Sequence, residues 1–380
     1  MGRYNSTILI MKIGITGVNG FIGWHLCQTI KLDNNQFELI DFRREWFNDR
    51  FYLDAFVSKC DIIIHLAGLN RHSEESTIYN TNVGLAQCLV DSFNRTNFKG
   101  QVIFSSSIQE ERNNKFGISK KAARELFSNW SNITGVKFQG LIIPNVFGVF
   151  GIPFYNSVVA TFCHQLVNNE VPKIESDKTL DLIYINDLIK KIIELFNTNT
   201  NVNLIIEHTH TIKVSDILKL LIKYKEEYFD NGQIPYFGNQ FEFDLFNTFR
   251  SYFNIKTYFP IKYKNNKDER GNFVEIIRLE TGGQVSFSTT KKNLTRGNHF
   301  HTRKIERFSV IKGKALIQLR KIGNNEVFDY YLSGDEPAYV DMPIWYTHNI
   351  KNIGEGELYT MFWINEFYDS NDPDTFFEKV

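Results

Sequence analysis

From Lys12 onward the chain alternates short apolar runs with amphipathic stretches. The runs "KIGIT" (12–16), "FELIDF" (37–42), "DIIIHLAG" (61–68), "QVIFSSS" (101–107) and "VKFQGLII" (136–143) read as buried strands. Between them, "FIGWHLCQTIK" and "NVGLAQCLVDSF" carry apolar residues at helical spacing. Strands that alternate with helices predict an α/β doubly wound, Rossmann-type domain, a parallel sheet with helices on both faces. The pattern changes near residue 250, and "EFDLFNTFRSYF" (242–253) reads as the last helix before the change. Beyond it, "NFVEIIRLE", "GQVSFSTT", "ERFSVIKGKALIQLRK", "VFDYYL", "AYVDMP" and "LYTMFWIN" are short strands separated by turns. They predict an all-β barrel or sandwich. The predicted division is an N-terminal extension over 1–10, a nucleotide-binding domain over 11–250 and a β domain over 251–380, with Met11 directly before the first strand.

Composition narrows the function classes. A chain of 380 residues exceeds one ordinary domain, and 42% hydrophobic with 23% charged residues suits globular cores. Lys+Arg and Asp+Glu both number 43, and no basic run stands out, which argues against a nucleic-acid or anionic membrane partner. The longest apolar stretch, Leu141–Phe154, is broken by two prolines and two glycines, so no membrane span is expected. The start "MGRYNSTILI" lacks the features of a secretory signal. Cys27, Cys60, Cys88 and Cys163 are scattered and not at metal-ligand spacing. Reduced thiols in a cytoplasmic protein are the expectation.

Two constellations carry chemistry. "GITGVNGFIG" places Gly17, Gly20 and Gly23 between a predicted strand and helix, with Phe21 and Ile22 opening the helix. Such glycines let the backbone approach a pyrophosphate at a helix N-terminus. Asp41 follows at the end of the second strand, where an acid that binds ribose belongs. Arg43 and Arg44 come next, and an arginine there can hold a 2′-phosphate, which favours NADPH over NADH. Against this stands a plain tight turn followed by a solvated arginine pair.

The second constellation lies in the β-rich half. Of nine histidines, three fall there: His299, His301 and His348. His299-x-His301, Glu306 and Gly313 match one cupin motif, and Pro343, His348 and Asn352 the other. Residues at i and i+2 of a strand share a face, so His299 and His301 can turn inward together. Three imidazoles and a carboxylate suit Zn²⁺, and also Fe²⁺, Mn²⁺ or Ni²⁺. A polar barrel interior without metal is the plainer alternative. "EHTH" (His208, His210) has the same spacing without a second motif and reads as a strand end or loop.

The first half resembles the extended short-chain dehydrogenase/reductases that act on nucleotide sugars. "DIIIHLAG" resembles the strand whose end, here Leu66 and Ala67, lines the cofactor site. "YNTNVGLAQCLV" matches the asparagine-bearing helix through Asn82, and "FSSSIQ" the strand ending in a catalytic serine, Ser107. The family then carries Tyr-x-x-x-Lys, one helical turn apart, so that the lysine lowers the tyrosine pKa and holds the ribose. Here "KFGISK" keeps Lys120 and puts Phe116 in the tyrosine's place. Three explanations stay open: an engineered block, a natural reductase that is slow or dead, or proton donation by Ser107 or water.

The second half resembles the cupin sugar-nucleotide 3,5-epimerases through "DERGNFVE", "RGNHFH" and "MPIWYTHNI". That resemblance implies a base at His299, which conflicts with a ligand role for the same residue. It also implies a proton donor at Tyr359 or Tyr346. The two halves together resemble the CapF-type epimerase/reductases of capsular polysaccharide and deoxysugar synthesis, including "FYNSVVATFCHQL" and "FWINEFYDSNDPDTF". The resemblance implies C3 epimerisation of a UDP-4-keto-6-deoxy-HexNAc, then C4 reduction with NADPH, in a homodimer. It implies sugar-nucleotide contacts at Asn70, Asn145, Asn156, Arg270 and Arg296. A monofunctional epimerase and a non-catalytic sugar-nucleotide-binding protein remain as alternatives.

Overall fold

The computed structural model describes residues 10–32, 36–198, 201–269, 271–277, 279 and 281–380. The predicted extension over 1–10 lies, Ile10 apart, outside the described residues, as does Arg270. Among the described residues no helix is long and apolar enough to cross a membrane. By packing, the chain divides into two compact units. One comprises the described parts of Met1–Thr161 and Glu175–Val214, the other Phe162–Ile174 and the described parts of Ser215–Val380.

In the first unit, β1 (Met11–Thr16), β2 (Phe37–Ile40), β3 (Ile62–His65), β4 (Gln101–Ser107) and β5 (Lys137–Ile143) alternate with helices. The helices are α1 (Phe21–Leu32), α2 (Arg50–Val57), α3 (Glu75–Thr96) and α4 (Lys115–Thr134). β6 (Asn145–Phe147), β7 (Thr179–Tyr184), β8 (Val202–Ile205) and β9 (His210–Lys213) follow, with α6 (Ile185–Glu194) after β7; α5 (Val158–Val167) begins in this unit and, from Phe162 on, belongs to the other. The strands pair in parallel in the order β2-β1-β3-β4-β5-β8. β6, β7 and β9 form a smaller sheet, which takes His210 of "EHTH" into a strand. The central strands β3 and β4 are buried along nearly their whole length because both faces are covered, and polar residues enter them only at their ends. Ile63, Val102 and Phe104 join Leu53, Phe93 and Phe127 in one core.

The second unit begins with helices. α7 (Val214–Tyr224), a π-helical turn (Lys225–Asp230), α8 (Gln240–Arg250) and α9 (Ile255–Tyr258) precede the strands. The strands are β10 (Ile261–Lys262), β11 (Asn265–Asp268), β12 (Gly271–Val274), β13 (Gln284–Thr290), β14 (Thr295–Phe300) and β15 (Glu306–Lys312). After them come β16 (Lys314–Lys321), β17 (Val327–Ser333), β18 (Ala338–Met342), β19 (Tyr346–Asn352), β20 (Leu358–Ile364) and β21 (Phe376–Phe377). Two antiparallel five-stranded sheets result, β10-β18-β15-β20-β13 and β17-β16-β19-β14-β21. Their apolar residues, among them Val310, Ile317, Leu319, Val340 and Ile350, form one core. Periodicity changes near residue 250, whereas packing divides the chain near 215, because the preceding helices are tied to the strands by buried polar bonds.

Those bonds centre on Asp341. Its carboxylate receives Arg307 in a two-pronged pair at 2.8 and 2.9 Å, and Tyr228 donates to it at 2.5 Å. Arg250 donates to Tyr228 Oη and to the Met342 carbonyl, and Arg307 to the Gly232 carbonyl. Asp341 and Arg307 are both buried. Removing one partner of such a pair leaves the other charged and desolvated. Asp341→Ala is therefore expected to lower stability by about 3–5 kcal/mol in urea melts. Arg307→Met combined with Asp341→Leu should cost less than Asp341→Ala alone.

Candidate functional site

The glycine turn closes on itself at backbone distance. β1 ends at Thr16, the chain turns at Gly17 with φ of +83°, and Gly20 N–H donates to the Gly17 carbonyl at 3.0 Å. A Cβ on Gly23 would stand 2.1 Å from that carbonyl oxygen, and one on Gly17 2.7 Å from Ala67 N. Phe21 and Ile22, both half-buried, open α1 directly over this turn. Leu66 N–H donates to the Thr16 carbonyl and Ala67 N–H to Thr16 Oγ1, which holds the end of β3 against the turn. The result is a bare backbone cradle at a helix N-terminus, and it fits a dinucleotide pyrophosphate. Asp41 and Arg43 are exposed just past β2. Arg44 lines a cavity of about 310 Å³ with Phe47 and Leu85.

Beside the cradle, β4 delivers Ser107, whose hydroxyl oxygen accepts from Gln109 N–H at 3.2 Å. Asn114 then caps α4 by accepting from Gly117 N–H at 2.8 Å. A Cβ on Gly117 would lie 1.9 Å from the Gln109 carbonyl oxygen, so only glycine lets the first turn of α4 press on the turn after Ser107. That contact sets Phe116 into a cleft of about 360 Å³, lined also by Asn70, Arg71, Gln109, Arg112 and Asn156. Lys120, one turn further, is buried with Nζ 4.7 Å from the centre of the Phe104 ring. Burial pushes its pKa down to about 8, against an upward pull from Glu110. Asn82 accepts from Leu69 N–H at 2.6 Å and donates to Leu69 O and Ser119 Oγ, which locks the segment after β3 to α4. His65, also buried, shares a 2.6 Å hydrogen bond with Thr16 Oγ1 and is kept neutral, its pKa lowered to about 3 by burial and then by Lys120.

The structure thus brings Asn70, Phe116 and Asn156 to one cleft. Asn145 is not among its lining residues and donates instead to the Asp181 carbonyl at 3.2 Å. Sequence reading missed the cations Arg71 and Arg112, which belong to no motif. It also missed the Thr16–His65 bond, whose partners lie on adjacent strands, far apart in sequence.

In the second unit His299, His301, Glu306 and His348 converge, with ligand atoms all within 4.8 Å of one another. The histidines come from one sheet and its edge, and Glu306 from the facing sheet. His299 stands directly opposite His348 across β14 and β19, after a register shift at Gly297 and Asn298, both with positive φ. Their rings lie 4.6 Å apart. Nε2 of His301 and of His348 stand 3.0 and 3.3 Å from Glu306 Oε2. None of these three buried atoms makes a hydrogen bond, because the distances are met and the angles are not.

Lone pairs that converge without bonding one another are the arrangement a cation satisfies, so the residues present fit a divalent metal. Burial alone would raise the Glu306 pKa, yet His301 and His348 outweigh it and hold the carboxyl well below its ordinary range. Burial likewise lowers His301, but Glu306 beside it raises it on balance. His299 is half-buried and lowered to about 4, by burial first and then by His348 and His301.

The structure does not bring every expected residue to this cluster. Tyr359 is exposed and its hydroxyl donates to Glu357. Glu306 pairs with Ile364 on β20, and Tyr359, an odd number of residues away, falls on the opposite face. Tyr346 shares the His348 face of β19 but packs against the apolar core. The Arg296 guanidinium is exposed and bound to Thr289 O and Thr290 Oγ1. Asn352 is buried and donates to Thr290 O and Gly356 O, which makes it a strut of the strand end.

Comparison with known proteins agrees with both halves. Residues 13–204 match the model of the NAD dependent epimerase/dehydratase family, and residues 266–376 that of the polysaccharide biosynthesis C-terminal domain. The chain is 30% identical over 96% of its length to the UDP-2-acetamido-2,6-beta-L-arabino-hexul-4-ose reductase of Pseudomonas aeruginosa, of which 98% is covered. It is 25% identical over 30% of its length to the spore coat polysaccharide biosynthesis protein SpsL of Bacillus subtilis, covering 82% of that protein. The crystal structure of the capsular polysaccharide assembling protein CapF from Staphylococcus aureus aligns with a TM-score of 0.61 and 33% identity, over 97% of this chain and 100% of that one. The chain accordingly belongs to the NAD dependent epimerase/dehydratase family and, within it, to the CapF-type UDP-sugar epimerase/reductases.

Proposed function

We propose that the chain acts twice on a UDP-4-keto-6-deoxy-HexNAc, inverting C3 in the cupin-type unit and then reducing C4 in the Rossmann-type unit. The observation that carries this reading is the presence on one chain of a largely buried His₃Glu cluster, with His299 half-buried, and of a glycine cradle beside a Ser107–Lys120 site. The name of the Pseudomonas relative, a reductase of a UDP-linked 4-ulose, supports the substrate class. The order follows from chemistry: the 4-ketone acidifies the C3 proton, and reduction removes that activation.

In the cupin-type unit His301, Glu306 and His348 would hold a divalent cation such as Zn²⁺, which would draw electron density from the 4-keto oxygen. Catalytic metal sites keep an open position, and three protein ligands suffice. His299 is half-buried where the other three are buried, so it is the member of the cluster that can face a sugar. It takes the role of base at C3. His299→Gln should keep one equivalent of bound Zn²⁺ and lose C3 proton exchange, whereas His301→Ala should lose the metal. Loss of metal from His299→Gln would make His299 a ligand instead.

In the Rossmann-type unit the glycine cradle would hold NADPH, which would supply the hydride. Asp41 and Arg43 would hold its ribose and 2′-phosphate, and Lys120 the nicotinamide ribose. Phe116 keeps the shape of a tyrosine and has no proton to give. The Ser107 hydroxyl accepts from Gln109, so its own O–H is free to point at a ketone oxygen. Restoring a positioned acid with Phe116→Tyr should raise C4 reduction by roughly 10²–10⁴-fold, read as NADPH oxidation. An unchanged rate would mean that the first unit does not reduce.

The charge on Lys120 gives a further test. Burial depresses its pKa to about 8, so the ammonium is present below that pH and is lost as pH rises through it. NADPH affinity, read by fluorescence titration, should weaken above about pH 8. Lys120→Met should bind weakly at every pH and show no such inflection.

A further inference from the structure

Asp374 belongs to neither cupin motif, yet it touches the metal-type cluster from 73 residues away in sequence. It is buried and left-handed, with φ of 39°, a conformation that is unfavourable for a residue other than glycine and needs compensation. Its side chain supplies that compensation. Oδ1 accepts from Thr302 N–H at 3.0 Å and Thr302 Oγ1–H at 2.6 Å, and Oδ2 from Arg303 N–H at 3.0 Å and Lys304 N–H at 3.1 Å. The carboxylate thus ties residues 302–304, between His301 and Glu306, to the C-terminal segment.

The same residue's backbone carbonyl accepts from His301 Nδ1. A carbonyl can only accept, so Nδ1 carries a proton, and in the neutral imidazole that a metal ligand must be, the lone pair is left on Nε2, 3.0 Å from Glu306 Oε2. The segment beyond Asp374 reaches the other histidine of the pair. Phe377 pairs with His299 and Phe376 with Phe300, and Glu378 N–H donates to Asn298 O at 2.9 Å. Lys304, a buried amine, donates to the Pro373 carbonyl and so fixes the approach to Asp374.

We propose that Asp374 is a positioning residue of the metal centre: its carboxylate clamps the loop 302–304, and its carbonyl fixes the tautomer and orientation of His301 as a ligand. This rests on the reading of the cluster as a cation site. Outer partners of this kind, hydrogen-bonded to a ligating imidazole, typically govern metal affinity by about 10–100-fold. A residue that only fastened the C-terminus would leave affinity untouched.

The test uses the full chain, stripped with a chelator and titrated with Zn²⁺ against a chromophoric competitor, and loaded separately with Co²⁺ for its visible spectrum. Asp374→Asn keeps the shape but points an amide at donors. It should weaken Zn²⁺ binding by about 10–100-fold and shift the Co²⁺ bands. Thr302→Val, which removes one of the four bonds to the carboxylate, should weaken binding less and in the same direction. If Asp374→Asn fails to fold, Thr302→Val decides in its place. A variant that melts at lower temperature with unchanged Zn²⁺ affinity and Co²⁺ spectrum overturns the inference while the cation site stands. A parent chain that takes up neither ion overturns both.

Discussion

Glu306 holds a carboxylate between two packed sheets, where a bare charge would cost several kcal/mol. Three histidines are assembled around that charge, two of them with Nε2 at 3.0 and 3.3 Å from its Oε2. The assembly dictates much of the second unit. The bulge at Gly297 and Asn298 sets His299 opposite His348, since a one-residue slip would turn it outward. The C-terminal segment returns across the barrel to hold His301 by its other nitrogen. On the proposed reading a divalent cation would be held there by His301, Glu306 and His348, with His299 beside it.

The first unit rests on a different constraint, the closeness of backbone to backbone. Gly23 and Gly117 each stand where a Cβ would fall within about 2 Å of a carbonyl oxygen. One contact shapes the cradle and the other seats Phe116 beside the turn after Ser107. Lys120 is buried, Asn82 is fully bonded and the cleft is open, so the surroundings of a proton donor are intact around a side chain that cannot donate. On the proposed reading the chemistry of the two units is separable: a missing hydroxyl at Phe116 would slow reduction and leave epimerisation alone.

Much of this was legible in the sequence wherever local spacing carries the information. Period-two and helical patterns marked the strands and helices, the glycine triplet marked the cradle, and His-x-His with Glu306 marked the cluster. What stayed hidden depends on long-range register or on single pairs. The parity that turns Tyr359 outward is set by its pairing with β13 and β15. Asp341 draws the helices after residue 214 into the second unit through Tyr228, a link of 113 residues with no periodic signal. Asp374 acts through a backbone carbonyl, which no side-chain motif records.

The most direct measurement is an incubation in deuterium oxide of the chain with added Zn²⁺, a UDP-4-keto-6-deoxy-HexNAc and excess NADPH, followed by NMR and mass spectrometry. The account predicts deuterium at C3 well before C4 is reduced, with the 4-keto sugar persisting because of Phe116. Reduction at C4 while C3 still carries its original hydrogen would contradict it.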